Sequence, residues 1–215
     1  MDNEELMTVW CRMWSEDPAL AHDLMTGTCA QWSGNTPGLD SVVGPHEQER
    51  FVTAYREEHV TVFTPRVLVD GGDRFAYLWD VRTPDGRVRT GVDVNVLEGE
   101  RVQENWTFVG EQRDDQDDPE PEAADPAVLA ELGRRWTERR DGVVADDFTL
   151  FDGTGATGDA GEPVGTLHRS IVVDPERGRV ALLRTAGTGG VDLLAVRGGR
   201  VVRAWSLTGI RPFRY

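Results

Sequence analysis

The chain has no lysine: all 23 of its basic residues are arginine. Schiff-base catalysis and a phosphate-gripping lysine of the Walker type are therefore excluded. Cysteine is nearly absent too. Cys11 and Cys29 are too few for a disulfide framework and are expected as buried small residues in a reducing compartment. Histidine is scarce: His22, His46 and His168 stand at no metal-ligand spacing, and Glu57-Glu58-His59 is not a zinc pattern, so no metal is expected. No apolar run approaches the roughly 18 residues of a membrane span. The opening residues, Met1 to Glu5, are acidic where a signal peptide is basic, so a cytoplasmic location is expected. A net charge of −15 repels phosphate backbones and anionic lipid, so neither nucleic acid nor membrane is an expected partner.

What remains is a 215-residue chain of changing period. Leu6, Trp10, Met13 and Trp14 recur at helical spacing, with Asp2 or Asn3 available as N-cap. Asp17-Pro18 opens a second short helix carrying Leu20, Ala21, Leu24 and Met25. Gly27 to Leu39 reads as a loop around Trp32. Gly44-Pro45 signals a third helix to about Val60, with Phe51, Tyr55 and His59 on one face. The period then drops to two. Arg66 to Asp70, Arg74 to Val81, Val88 to Leu97 and Arg101 to Val109 read as strands, parted by turn residues. Helices followed by an antiparallel sheet make an α+β order.

Residues 111–126 are charged, interrupted by proline and free of large apolar side chains, which is linker composition. Beyond them the pattern restarts. Asp125-Pro126 opens a helix ending near Trp136, and Ile171 to Asp174 matches Val67 to Asp70. Gly91 to Gly110 aligns without a gap to Gly190 to Gly209, with eight identical positions: Gly, Val, Asp, Gly, Arg, Val, Trp and Gly. This is a duplication. Residues 1–112 are expected as one domain, 113–125 as an acidic linker and 126–215 as a second domain that lacks a counterpart of the Phe51/Tyr55/His59 helix. Gly153 to Gly158 formally fits a dinucleotide fingerprint, but no helix pattern follows and it reads as a loop.

The repeated hairpin of Gly-x-Asp, strand, glycine turn, Arg-Val and Trp resembles the last hairpin of SnoaL-like domains in the nuclear transport factor 2-like superfamily. The helix opened by Gly44-Pro45 and the strand Tyr77-Leu78-Trp79 are similar to that pattern as well. The resemblance implies two NTF2-like cones, each with helices packed on a curved antiparallel sheet, the second one shortened. It implies an apolar pocket in the first cone and pairing of the cones within the chain as a pseudo-dimer, with a further homodimer compatible. Many catalytic SnoaL-like domains carry His or Asp beside the tryptophan. Here Asn105 and Thr107 flank Trp106, and Ala204 and Ser206 flank Trp205.

Any chemistry therefore needs another group. Asp93 lies among valines where a solvated carboxylate is out of place, and desolvation would raise its pKa toward general acid or base work; Asp192 holds the equivalent position, so a structural role is the competing reading. Tyr77 could donate to an oxyanion, and His59 could shuttle a proton from its helix end, although a core or interface tyrosine and a dipole-stabilised histidine are the readings that the residues favour. Trp14, Trp32, Trp79, Asn95 and Trp106 are the expected substrate-binding residues. The resulting expectation is a cofactor-free isomerase, cyclase or hydrolase of secondary metabolism, acting on an apolar small molecule. The alternative is a non-catalytic binding or assembly module of the same fold.

Overall fold

A computed structural model describes residues 1–36, 38–39, 42–138, 142–154 and 167–213, excluding the side chains of 167–170. The opening helix α1 (Asn3–Ser15) forms where expected: Asp2 caps it by accepting from the Glu5 N–H at 2.8 Å, and Leu6, Trp10, Met13 and Trp14 are buried along one side. A 3₁₀ turn (Pro18–Leu20) leads into the single turn α2 (Ala21–Leu24). Met25, expected in that helix, instead begins strand β1 (Met25–Ser33).

The loop expected from Gly27 to Leu39 is thus largely a strand. Its second part pairs in parallel with the hairpin strand containing Trp106, setting Gln31 beside Asn105 and Trp32 beside Trp106. The register breaks between Met25 and Ala30, where Gly27 and two threonines provide no apolar alternation. A two-residue edge strand, β2 (Val42–Val43), precedes α3 (Gly44–Glu58). Gly44 sits at φ 78°, and a Cβ there would lie 2.7 Å from the Gly27 carbonyl oxygen, so only glycine fits.

The next four strands are β3 (Val62–Asp70), β4 (Arg74–Arg82), β5 (Val88–Glu98) and β6 (Arg101–Val109). After them come α4 (Pro126–Glu138), β7 (Val144–Phe151), β8 (Leu167–Asp174), β9 (Arg179–Arg184), β10 (Gly190–Arg197) and β11 (Arg200–Thr208). Among the described residues the strands form two mixed sheets, ordered β2-β1-β6-β5-β4-β3 and β7-β11-β10-β9-β8. Leaving aside β2, the two orders are the same, with β7, β11, β10, β9 and β8 standing where β1, β6, β5, β4 and β3 stand. Even the bulges correspond: the register slips between Val96 and Leu97 in one hairpin and between Ala195 and Val196 in the other.

Strand alternation gives each sheet two faces. Phe75, Tyr77 and Trp79 of β4 face α1 in one apolar cluster with Leu6, Trp10, Met13 and Trp14. Leu182, Leu194 and Ala204 form the corresponding cluster under Leu129, Leu132 and Trp136 of α4. The opposite faces pack on each other: Leu78, Val92, Trp106 and Phe108 share a cluster with Leu183, Val191, Trp205 and Leu207. Reciprocal backbone bonds join the halves, Glu111 N–H to the Gly153 carbonyl at 2.7 Å and Ile210 N–H to the Gly34 carbonyl at 2.9 Å.

The segment between β6 and α4 has no helix or strand, but it is not a loose tether. Asp114 is 3% exposed and accepts from the Trp205 indole at 2.6 Å and from the Arg203 guanidinium. Linker composition obscured this because one buried acid among many solvated ones leaves no mark on the average. Of the glycine-rich stretch at Gly153 to Gly158, residues from Gly155 onward lie outside the described residues.

Candidate functional site

A cavity of about 500 Å³ lies between the helices and the inner face of the first sheet. Trp14, Tyr55, Phe63 and Trp79 form an aromatic wall, with Trp14 edge-on to Tyr55 at 5.5 Å and Phe63 5.1 Å from Trp79. The mouth carries Arg87, Arg89 and Glu111, and also Ile210, which comes from beyond β11. Both halves of the chain therefore contribute to the enclosure.

Asp93 lies on the cavity wall and is 3% exposed. The pleat places it opposite Tyr77 on β4 and Thr107 on β6. Four neutral groups donate to its carboxylate: Trp79 Nε1 at 2.8 Å and the Thr107 hydroxyl to Oδ1, Tyr77 Oη and Asn105 Nδ2, each at 3.1 Å, to Oδ2. These fill the roughly four lone-pair sites of a carboxylate. Burial pushes the Asp93 pKa up to about 6, against the downward pull of Trp79, Asn105 and Tyr77. The Tyr77 phenol is raised well above its ordinary value, first by burial and then by the Asp93 charge, so it remains a proton donor. Cys11, also on the wall, is raised by burial and then by Asp93, so it remains a thiol and no nucleophile.

The duplicate half shows what this arrangement is not. Asp192 faces Ser206 as Asp93 faces Thr107, but Arg184 pairs with it at 3.2 Å. Arg184 lies opposite Gly190, and Trp79 lies opposite Gly91, so the two side chains occupy one position of the repeat. Leu182, Leu194 and Ala204 stand where the first half has Tyr77, Asn95 and Asn105. Among the described residues no cation forms an ion pair with Asp93; its partners are the four neutral donors.

Of the expected site residues, Asp93, Tyr77, Trp14 and Trp79 meet at the cavity. Asn95 lies on the same face one step deeper, where its Oδ1 accepts from Asn105 Nδ2 at 2.9 Å, and it does not line the cavity. Trp106 and Trp32 do not reach it either. Asp93 pairs with Thr107, so Trp106, one residue away, points to the other face, and Trp32 follows it by register. Trp106 and Trp32 pack on Phe213 at 6.4 Å and 4.7 Å. His59 is exposed because α3 ends at Glu58 and the chain turns extended; its ring rests on the outer side of the site against Tyr55 at 4.8 Å. Thr107, Phe63 and Cys11 escaped the sequence reading. Only Thr107 had left a signal there, its hydroxyl matching Ser206 across the repeat.

No family model matches the chain, and no curated protein matches it. Solved structures do. A candidate polyketide cyclase from Acidithiobacillus ferrooxidans is 19% identical over 52% of this chain and 92% of its own, with a TM-score of 0.42. An NTF2-like protein of unknown function from Mesorhizobium loti is 23% identical over 49% of this chain and 88% of its own, with a TM-score of 0.41. A candidate polyketide cyclase from Streptomyces antibioticus is 15% identical over 51% of this chain and 92% of its own, with a TM-score of 0.44. Each is similar to about half of this chain.

Proposed function

We propose that the first half is a cofactor-free acid/base enzyme of isomerase, cyclase or hydrolase type, acting on an apolar small molecule that carries a carbonyl. The observation that carries this reading is Asp93, a buried carboxylate on the wall of an aromatic cavity, paired with no cation among the described residues and with its pKa pushed up to about 6. Its four donors shape the mechanism. The indole of Trp79 and the amide of Asn105 are fixed, whereas the hydroxyls of Tyr77 and Thr107 can turn. Proton transfer from ligand to Asp93 requires one hydroxyl to swing away. That hydroxyl is then free to donate to the oxygen on which charge develops, so proton removal and oxyanion stabilisation are coupled. The two halves, packed through their outer faces, act as a pseudo-dimer in which the second supports the first.

The same four donors favour a second reading, a non-catalytic binding module in which Asp93 only organises the sheet. Quenching of tryptophan fluorescence by a panel of polycyclic ketones, run with product analysis on the wild type and on Asp93→Asn, separates the two. The enzyme reading expects both proteins to bind and turnover to fall at least a hundredfold in the variant. Binding without turnover in the wild type supports the module, and full turnover in the variant removes Asp93 from the chemistry.

A further inference from the structure

The folded chain brings together three groups that sequence spacing kept apart. His46 and Glu49 are three residues apart on α3 and so share a helix face, and His22 of α2 lies against them. One ligand atom from each, imidazole nitrogen or carboxylate oxygen, lies within 4.8 Å of the others. His22 Nε2 is 2.9 Å from Glu49 Oε2, and the two imidazole rings stand 4.6 Å apart at 73°. A hydrogen bond accounts for His22 with Glu49, whereas the exposed His46 has, among the described residues, a ring contact and no hydrogen bond, so its ring nitrogens are open to a ligand.

We propose that His22, His46 and Glu49 bind one divalent d-block ion of the zinc class. Metal–ligand bonds of about 2.0–2.2 Å in tetrahedral geometry place ligand atoms about 3.3–3.5 Å apart, which small side-chain rotations reach from the observed positions. Two nitrogens and one oxygen suit zinc and its neighbours, whereas magnesium and calcium take all-oxygen sites. The side chains of His22 and Glu49 are 37% and 39% exposed, so an ion can enter and a fourth position is left for water. A chain of net charge −15 draws cations to its surface. The bound ion ties α2 to α3, the helix that carries Tyr55 on the cavity wall. It is a brace outside the cavity and independent of the chemistry proposed for Asp93.

Cobalt(II) titration of the tag-free, chelator-treated full chain tests this. The expected result is one equivalent bound with the intense visible bands of four-coordinate cobalt, displacement by zinc, and a higher Tm with zinc but not with magnesium. His46→Asn and Glu49→Gln, both at the surface, should each weaken binding at least tenfold while leaving the circular dichroism spectrum unchanged. Absent binding, weak six-coordinate bands, or wild-type affinity in both variants would overturn the site.

Discussion

Gly91 lacks a side chain because the indole of Trp79 lies across it: a Cβ there would sit 2.3 Å from the Trp79 ring. That passage lets the indole reach Asp93, and Gly190 grants the same passage to Arg184 on its way to Asp192, where a Cβ would lie 2.5 Å from Nη2. A glycine and an aspartate two residues later therefore form one device, loaded with a neutral donor in one half and with a cation in the other. The neutral version has a pH signature. Burial raises the folded pKa of Asp93 to about 6, so the folded chain holds this proton more tightly than the unfolded one. The resulting stability is complete below about pH 4 and is lost as pH rises through about 6, with a slope of at most about 1.4 kcal/mol per pH unit. Urea unfolding of the wild type and Asp93→Asn between pH 4 and 7 should diverge by that slope, and parallel curves would show that the carboxyl is not perturbed. The aspartate itself was legible from sequence, because a charge among valines contradicts its surroundings. The face taken by Trp106 was not, since it depends on knowing that Asp93 pairs with Thr107.

At the scale of elements, the strands with clean alternation stood out, and β6 was expected at its observed bounds of Arg101 to Val109. β1 was missed because half of it is threonine, glycine and alanine, and its pairing with β6 is parallel and distant in sequence. The acidic connector hid more. Asp114 joins Arg203 and Trp205 of β11, and its backbone N–H donates to the Thr90 hydroxyl of β5 at 2.9 Å. Arg66 of β3 meets Asp118 at 2.6 Å and Asp80 at 3.2 Å, pulling the same connector onto the first sheet. Asp114→Ala leaves a buried guanidinium uncompensated and is expected to cost about 3–5 kcal/mol in chemical denaturation. A loss below about 1 kcal/mol would mean that the connector is a tether after all.

For the whole molecule, duplication was legible because glycine, aspartate and tryptophan sit in fixed order in both hairpins. That the outer faces of the two sheets meet was carried only by the resemblance, as alternation does not say which face turns to solvent. This contact gives a chain-level prediction. Residues 1–112 alone would expose Leu78, Val92, Val94, Trp106 and Phe108, all buried in the full chain. Sedimentation of that fragment should show self-association, whereas a well-behaved folded monomer would contradict the buried face. The unequal loading of the two aspartates also bears on how the protein would respond to the ligand proposed for it. Arg184 pairs with the carboxylate of the second half, whereas that of the first meets neutral donors, so the proposed recognition point occurs once per chain although the chain is built twice. Under the proposed function, saturation is expected at one molecule per chain along a hyperbolic curve, so that a dose of ligand is answered in proportion.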